Sequence, residues 1–118
     1  MSERTKDYLN DLNFLEAVNN NDKTYMKKAI AEGYKLTSES CTAAVRNGDR
    51  DLLKWLREKG CPWDSETCAA AASAGHRDLL KWLRSKDCPW DSETIVVATS
   101  GGHQDVLDWA RSHGCPEM

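Results

Sequence analysis

The chain lacks any apolar run long enough to cross a membrane, and its mean hydropathy is −0.69, so no transmembrane helix is expected. The opening residues Met1-Ser2-Glu3-Arg4-Thr5-Lys6-Asp7 carry acids and no apolar stretch, which is unlike a secretory signal. A basic excess is also missing: 16 Lys and Arg stand against 19 Asp and Glu, for a net charge of −3. That balance argues against nucleic acid as a partner, and with no span or signal no membrane partner is expected. No Cys-x-x-Cys or His-x-x-x-His spacing occurs, so no metal or other cofactor is expected. No nucleophile–base pair or phosphate-cradling loop is found either, so the sequence assigns no catalytic residue and no small-molecule substrate. The five cysteines are an odd number. Cys61 and Cys88 occupy equivalent positions and, on packed helix units, would stand roughly 8–10 Å apart. A disulfide needs Cα atoms within about 7 Å. A reducing intracellular compartment, cytoplasm or nucleus, is the expectation.

What the chain does have is a period of 27 residues. Cys61-Pro62-Trp63-Asp64-Ser65-Glu66-Thr67 returns as Cys88-Pro89-Trp90-Asp91-Ser92-Glu93-Thr94, and Leu52-Leu53-Lys54-Trp55-Leu56-Arg57 returns as Leu79-Leu80-Lys81-Trp82-Leu83-Arg84. Residues 41–67 and 68–94 share 20 identities in 27 without a gap. The register runs forward through Ile95, Ala98, Gly102-His103, Trp109 and Cys115-Pro116, and more faintly backward through Phe14, Ala17, Met26, Ala29 and Gly33. Four units are expected, 14–40, 41–67, 68–94 and a shortened 95–118, behind a leader or cap of residues 1–13. The outer two have diverged most, as terminal units with a water-facing side do.

Each unit reads as two short helices. Asp64 is placed as an N-cap, its carboxylate accepting backbone N–H groups, and Glu66 follows in the first turn where the helix dipole favours negative charge. Cys68 to Ala74 has high helix propensity and little bulk, and Gly75 can leave the helix through the left-handed region. A second helix is expected from about Arg77 to Lys86, with Leu79, Leu80, Trp82 and Leu83 on one broad apolar face, until Asp87-Cys88-Pro89 stops it. Such helices are too short to stand alone, so stacking must supply the core. Small first helices and bulky second helices make wedges, and a stack of wedges curves with the first helices inside.

The run Ala71-Ala72-Ser73-Ala74-Gly75-His76-Arg77-Asp78-Leu79-Leu80-Lys81-Trp82-Leu83 resembles the ankyrin repeat core, and Asn20-Asn21, Asn47-Gly48 and Gly101-Gly102 fall at the matching turns. The resemblance covers 14–118. An ankyrin repeat has about 33 residues, so each unit is roughly six shorter, and all of the shortening falls where the family builds its β-hairpin. The family's Thr-Pro-Leu-His opening is replaced by Glu66-Thr67-Cys68-Ala69. The compact Gly-Cys-Pro-Trp-Asp form is similar to ankyrin-like arrays of giant DNA viruses and protists. The resemblance implies an all-α solenoid of helix-turn-helix repeats lacking the β-hairpin, and a protein partner.

Trp55, Trp82 and Trp109 are expected in the core of successive second helices. Trp63 and Trp90 lie in loops, where they either pack across the joint between units or serve as anchors for a partner. His76 and His103 are expected to hydrogen-bond in their turns, and the cysteines to be small buried residues. Arg50, Lys54, Arg57 and Lys59 recur as Arg77, Lys81, Arg84 and Lys86, a basic ridge, while Asp64, Glu66, Asp91 and Glu93 form an acidic edge. Local pairs Asp51–Lys54 and Asp78–Lys81 are expected on that surface. Tyr8, Leu9 and Leu12 are expected to cap the first unit. Candidate partner-binding residues are Asn19, Asn20, Arg46, Asn47, Ser73 and Ser100 on the inner face, with Trp63 and Trp90. The expected function is a non-catalytic protein–protein interaction module working through a concave helical face and loop edge. The alternative is an accessory subunit built permanently into a larger assembly.

Overall fold

A computed structural model describes residues 10–117, and these contain eight α-helices and no strand. The helices are α1 Asp11–Asn19, α2 Lys23–Ala31, α3 Ser38–Arg46, α4 Arg50–Glu58, α5 Ser65–Ser73, α6 Arg77–Ser85, α7 Ser92–Ser100 and α8 Gln104–Ser112. Each has nine residues, and both the odd-numbered and the even-numbered helices begin at intervals of 27 residues. α1 starts inside the stretch expected to be a leader. The protein is all-α and elongated, 54 × 24 × 22 Å.

Local chemistry sets the helix ends. Asp64 accepts the Glu66 N–H at 3.0 Å, and its own N–H donates to the Thr67 hydroxyl at 3.2 Å, a reciprocal cap. Asp91 repeats the first bond on Glu93 at 2.9 Å. Asp49 caps α4 through the Leu52 N–H at 3.0 Å, and Asp22 caps α2 through Tyr25 at 3.0 Å. Every helix closes with the same pair of backbone bonds across a left-handed residue. For α5 these are Gly75 N–H to Ala72 C=O at 3.2 Å and His76 N–H to Ala71 C=O at 2.9 Å. Gly48, Gly75 and Gly102 hold this conformation after α3, α5 and α7, and Asn21 takes it after α1.

The odd helices pack side by side along the long axis, α1 on α3, α3 on α5 and α5 on α7, each with its even partner folded against it. Close approach within the odd row follows from its inner column of Ala17, Ala44, Ala71 and Ala98, all buried and all small. The even helices send Met26, then Leu52, Leu53 and Leu56, then Leu79, Leu80 and Leu83, then Val106 and Leu107 against them. Burying one such leucine is worth roughly 1.5–3 kcal/mol, which a nine-residue helix has no way to gain alone.

The capping of the first unit differs from expectation. Tyr8 and Leu9 lie outside the described residues, and Leu12 is 76% exposed on α1, so it covers nothing. Instead Phe14 is fully buried and stacks on Tyr34 with ring centroids 4.4 Å apart, and the Tyr34 hydroxyl donates to Asp11 at 2.7 Å. Tyr34 stands where later units have a cysteine, so the larger ring fills the end of the row. Burial and the Asp11 carboxylate both hold the Tyr34 phenol protonated, far above its ordinary range.

Candidate functional site

The odd helices present one continuous face. Counting by the period, its successive columns are Glu39, Glu66 and Glu93; Leu15, Thr42, Ala69 and Val96; Ala43, Ala70 and Val97; and Asn19, Arg46, Ser73 and Ser100. A groove of about 520 Å³ runs across α3, α5 and α7, lined by Arg46, Glu66, Ala69, Ala70, Ser73 and Glu93 among others. A smaller hollow of about 190 Å³ continues it past Arg46 to Leu15, Ser38 and Glu39. The floor is made of the small residues Ala69, Ala70 and Ser73, with Val97 beside them. The rim carries Glu66, Asp91 and Glu93 against a single cation, Arg46. Val96, half exposed on this face, adds apolar surface beside Val97.

The structure brings Arg46 and Ser73 together in that groove, and leaves Asn19, Asn20, Asn47 and Ser100 exposed along the same edge. Two of these have work within the chain. The Asn47 side-chain amide donates to Asn19 Oδ1 at 2.8 Å, tying α1 to the turn after α3.

Trp63 and Trp90 lie apart from the groove, on the opposite side, and both are half-buried. Trp63 meets the edge of Trp82 at 6.1 Å, and Trp90 meets Trp109 at 5.8 Å, so each loop tryptophan joins its unit to the next. Arg57 stacks on Trp63 with its guanidinium carbon 3.9 Å from the ring centroid, and Arg84 does the same to Trp90 at 4.4 Å. Each arginine also donates to a backbone carbonyl, Cys61 for Arg57 at 2.5 Å and Cys88 for Arg84 at 2.6 Å. Trp55, Trp82 and Trp109 do not enter the core as expected. They are half-buried and border it, because Leu79, Leu80 and Leu83 occupy the inward stripe.

The expected ion pairs of the ridge give way to other contacts. Lys54 lies 5.8 Å from the Trp82 ring of the next unit, and Asp78 sits 3.8 Å from its chain neighbour Arg77. The histidines bond between units and not within their own turns. His76 Nε2–H donates to the Arg46 carbonyl at 3.2 Å, and His103 Nε2–H to the Ser73 carbonyl at 3.0 Å. This places each ring against the end of the previous odd helix, whose last carbonyls have no helical partner.

All five cysteines are buried and free. The Cys61, Cys88 and Cys115 thiols reach the Thr37, Asp64 and Asp91 carbonyls at 3.3, 3.6 and 3.4 Å, the residues that cap α3, α5 and α7. Burial, with nearby Cys68 and Asp91, pushes the Cys115 thiol up to about 11. The hydrogen bond with Cys61 raises Cys41, and the one with Cys68 raises Cys88, burial adding to both. Cys41, Cys88 and Cys115 are thereby held in the thiol form, whereas the hydrogen bond from Cys41 lowers the Cys61 thiol. Among the described residues no three of His, Cys, Asp and Glu converge as metal ligands. No helix of the described residues is long and apolar enough to cross a membrane.

Comparison with protein-family models, with curated proteins and with solved structures gives no match to this chain.

Proposed function

We propose that the chain is a short α-solenoid of four ankyrin-like units without the β-hairpin, and that it acts as a non-catalytic interaction module. Its partner is a protein segment received on the face of the odd helices. The groove carries this reading: it has a small-residue floor, an acidic rim at Glu66, Asp91 and Glu93, and one cation at Arg46. Its side chains change along the column Asn19, Arg46 and Ser73, the last repeated at Ser100, while the residues that hold the rows together recur. Different surface residues on a constant frame let such a stack select a partner. The alternative of a permanent subunit has less support, since Trp63 and Trp90 are half-buried against Trp82 and Trp109 and leave no large exposed aromatic surface for an obligate partner to cover.

The test uses immobilised wild-type chain beside the Arg46→Glu/Ser73→Arg variant, both with intact helical circular dichroism. Reversing the charge at one end of the groove and filling its middle should abolish capture of the partner that wild type retains. A variant that holds the same partner as strongly contradicts the reading.

A further inference from the structure

The face away from the groove carries two clefts that are the same cleft repeated. One, of about 460 Å³, is walled by Lys54, Arg57, Trp63, Trp82 and Lys86. The other, of about 320 Å³, is walled by Lys81, Arg84, Trp90, Trp109 and His113. Every residue of the second stands 27 positions after its counterpart in the first. The only acid in the first wall, Glu58, is replaced by Ser85 in the second.

Each cleft has two chemically distinct parts. The indoles supply an apolar wall that is only half covered. The cations supply an anion site whose arginine is already oriented, stacked on one tryptophan and bonded through one N–H to a carbonyl. The rest of that planar fork stays available, and little side-chain entropy is left to lose when it accepts a carboxylate. The surroundings are cationic as well. Arg50 lies 6.0 Å from the Trp82 ring, and on α4 and α6 the six bases Arg50, Lys54, Arg57, Arg77, Lys81 and Arg84 stand against only Asp51, Glu58 and Asp78. This local excess contrasts with the negative total of the chain.

We propose that the two clefts form a second interaction surface, which receives an extended acidic segment of another protein. Each cleft takes one carboxylate and the bulky apolar residue beside it. Helices packed in a row stand roughly 8–10 Å apart, and an extended chain advances about 3.3 Å per residue. The recognised pattern is therefore an acid next to an apolar residue, recurring about every third position. Protein is favoured over nucleic acid because the walls end at α8, where Gln104 and Asp108 stand in place of Arg77 and Lys81, leaving too short a positive track for a polyphosphate backbone.

The probe is a synthetic peptide of three Glu-Leu-Ser repeats, titrated at low salt and followed by the tryptophan fluorescence of the full chain. The Glu peptide is expected to bind at least about tenfold tighter than its Gln-Leu-Ser counterpart. The Lys54→Ala/Lys81→Ala variant, which alters exposed side chains and leaves both arginines in place, is expected to lose about tenfold while its thermal melt is unchanged. The Arg46→Glu/Ser73→Arg variant is expected to bind the probe as wild type does, which separates this surface from the groove. Equal binding of both peptides, or an unaffected lysine variant, overturns the proposal. Tighter binding of an oligothymidylate than of the Glu peptide reassigns the clefts to single-stranded nucleic acid and overturns it too. Low-salt self-association abolished by the same lysine variant reassigns them to the acidic face of a second copy.

Discussion

Single residues in this protein act mostly across joints between units. His103 donates to the Ser73 carbonyl, and it fits there because Gly75 has no side chain: a Cβ on Gly75 would lie 2.8 Å from the ring. Gly75 also has φ +74°, which costs an L-residue about 1–2 kcal/mol. Gly102 has nearly the same φ, +71°, but a Cβ there would meet no neighbour within 4 Å. The two glycines therefore separate two effects. Gly102→Ala should cost the conformational term alone, and Gly75→Ala about 1 kcal/mol more through the displaced hydrogen bond. Urea midpoints of both variants read this directly, and equal losses would mean that the His103 contact contributes nothing. The histidine's importance was legible in the sequence, but its acceptor was not. A turn read as a unit by itself shows no reason to look 30 residues back, to the carbonyl that its ring reaches. The same blindness explains Lys54, expected to pair with Asp51 one turn away and found instead beside Trp82 of the following unit.

At the scale of the helix, the periodic signals were sufficient. Asp64 and Asp91 cap as their position before a Ser-Glu-Thr start requires, and the left-handed residues fall where glycine recurs. One end breaks the pattern. Gly33, Gly60 and Gly114 close α2, α4 and α8, whereas α6 ends on Asp87 at φ +65°. Aspartate tolerates this region better than most residues, yet glycine enters it freely. Asp87→Gly should raise stability by about 0.5–1 kcal/mol, seen as a higher melting temperature, and a lowered one would show that the Asp87 side chain holds the loop. The tryptophans were misplaced for a geometric reason. With 3.6 residues per turn, Trp82 lies roughly 100° from the centre of the Leu79, Leu80 and Leu83 stripe. An apolar residue that far round borders the core and does not enter it, and Trp55 and Trp109 follow by the period. Leu12 went wrong for another reason: it occupies the column of Glu39, Glu66 and Glu93, on the outer face of the odd row, where no chain lies over it.

For the molecule as a whole, the row of odd helices gives one face with an acidic rim, and the even helices with their loops give another that is basic and aromatic. The net charge of −3 hides this separation, which composition alone does not disclose. Ala44, Ala71 and Ala98 let the odd helices approach from within, and Ala69 and Ala70 of the same row floor the groove, so one row of helices supplies both the core and the groove face. Carboxylate footprinting of the chain, free and bound to the partner it captures, tests this assignment at the residues concerned. Glu66 and Glu93, both exposed on the groove rim, should lose most of their labelling in the complex, while Glu58 on the opposite side keeps its own. Unchanged labelling of Glu66 and Glu93 in a stable complex would place recognition elsewhere and contradict the account.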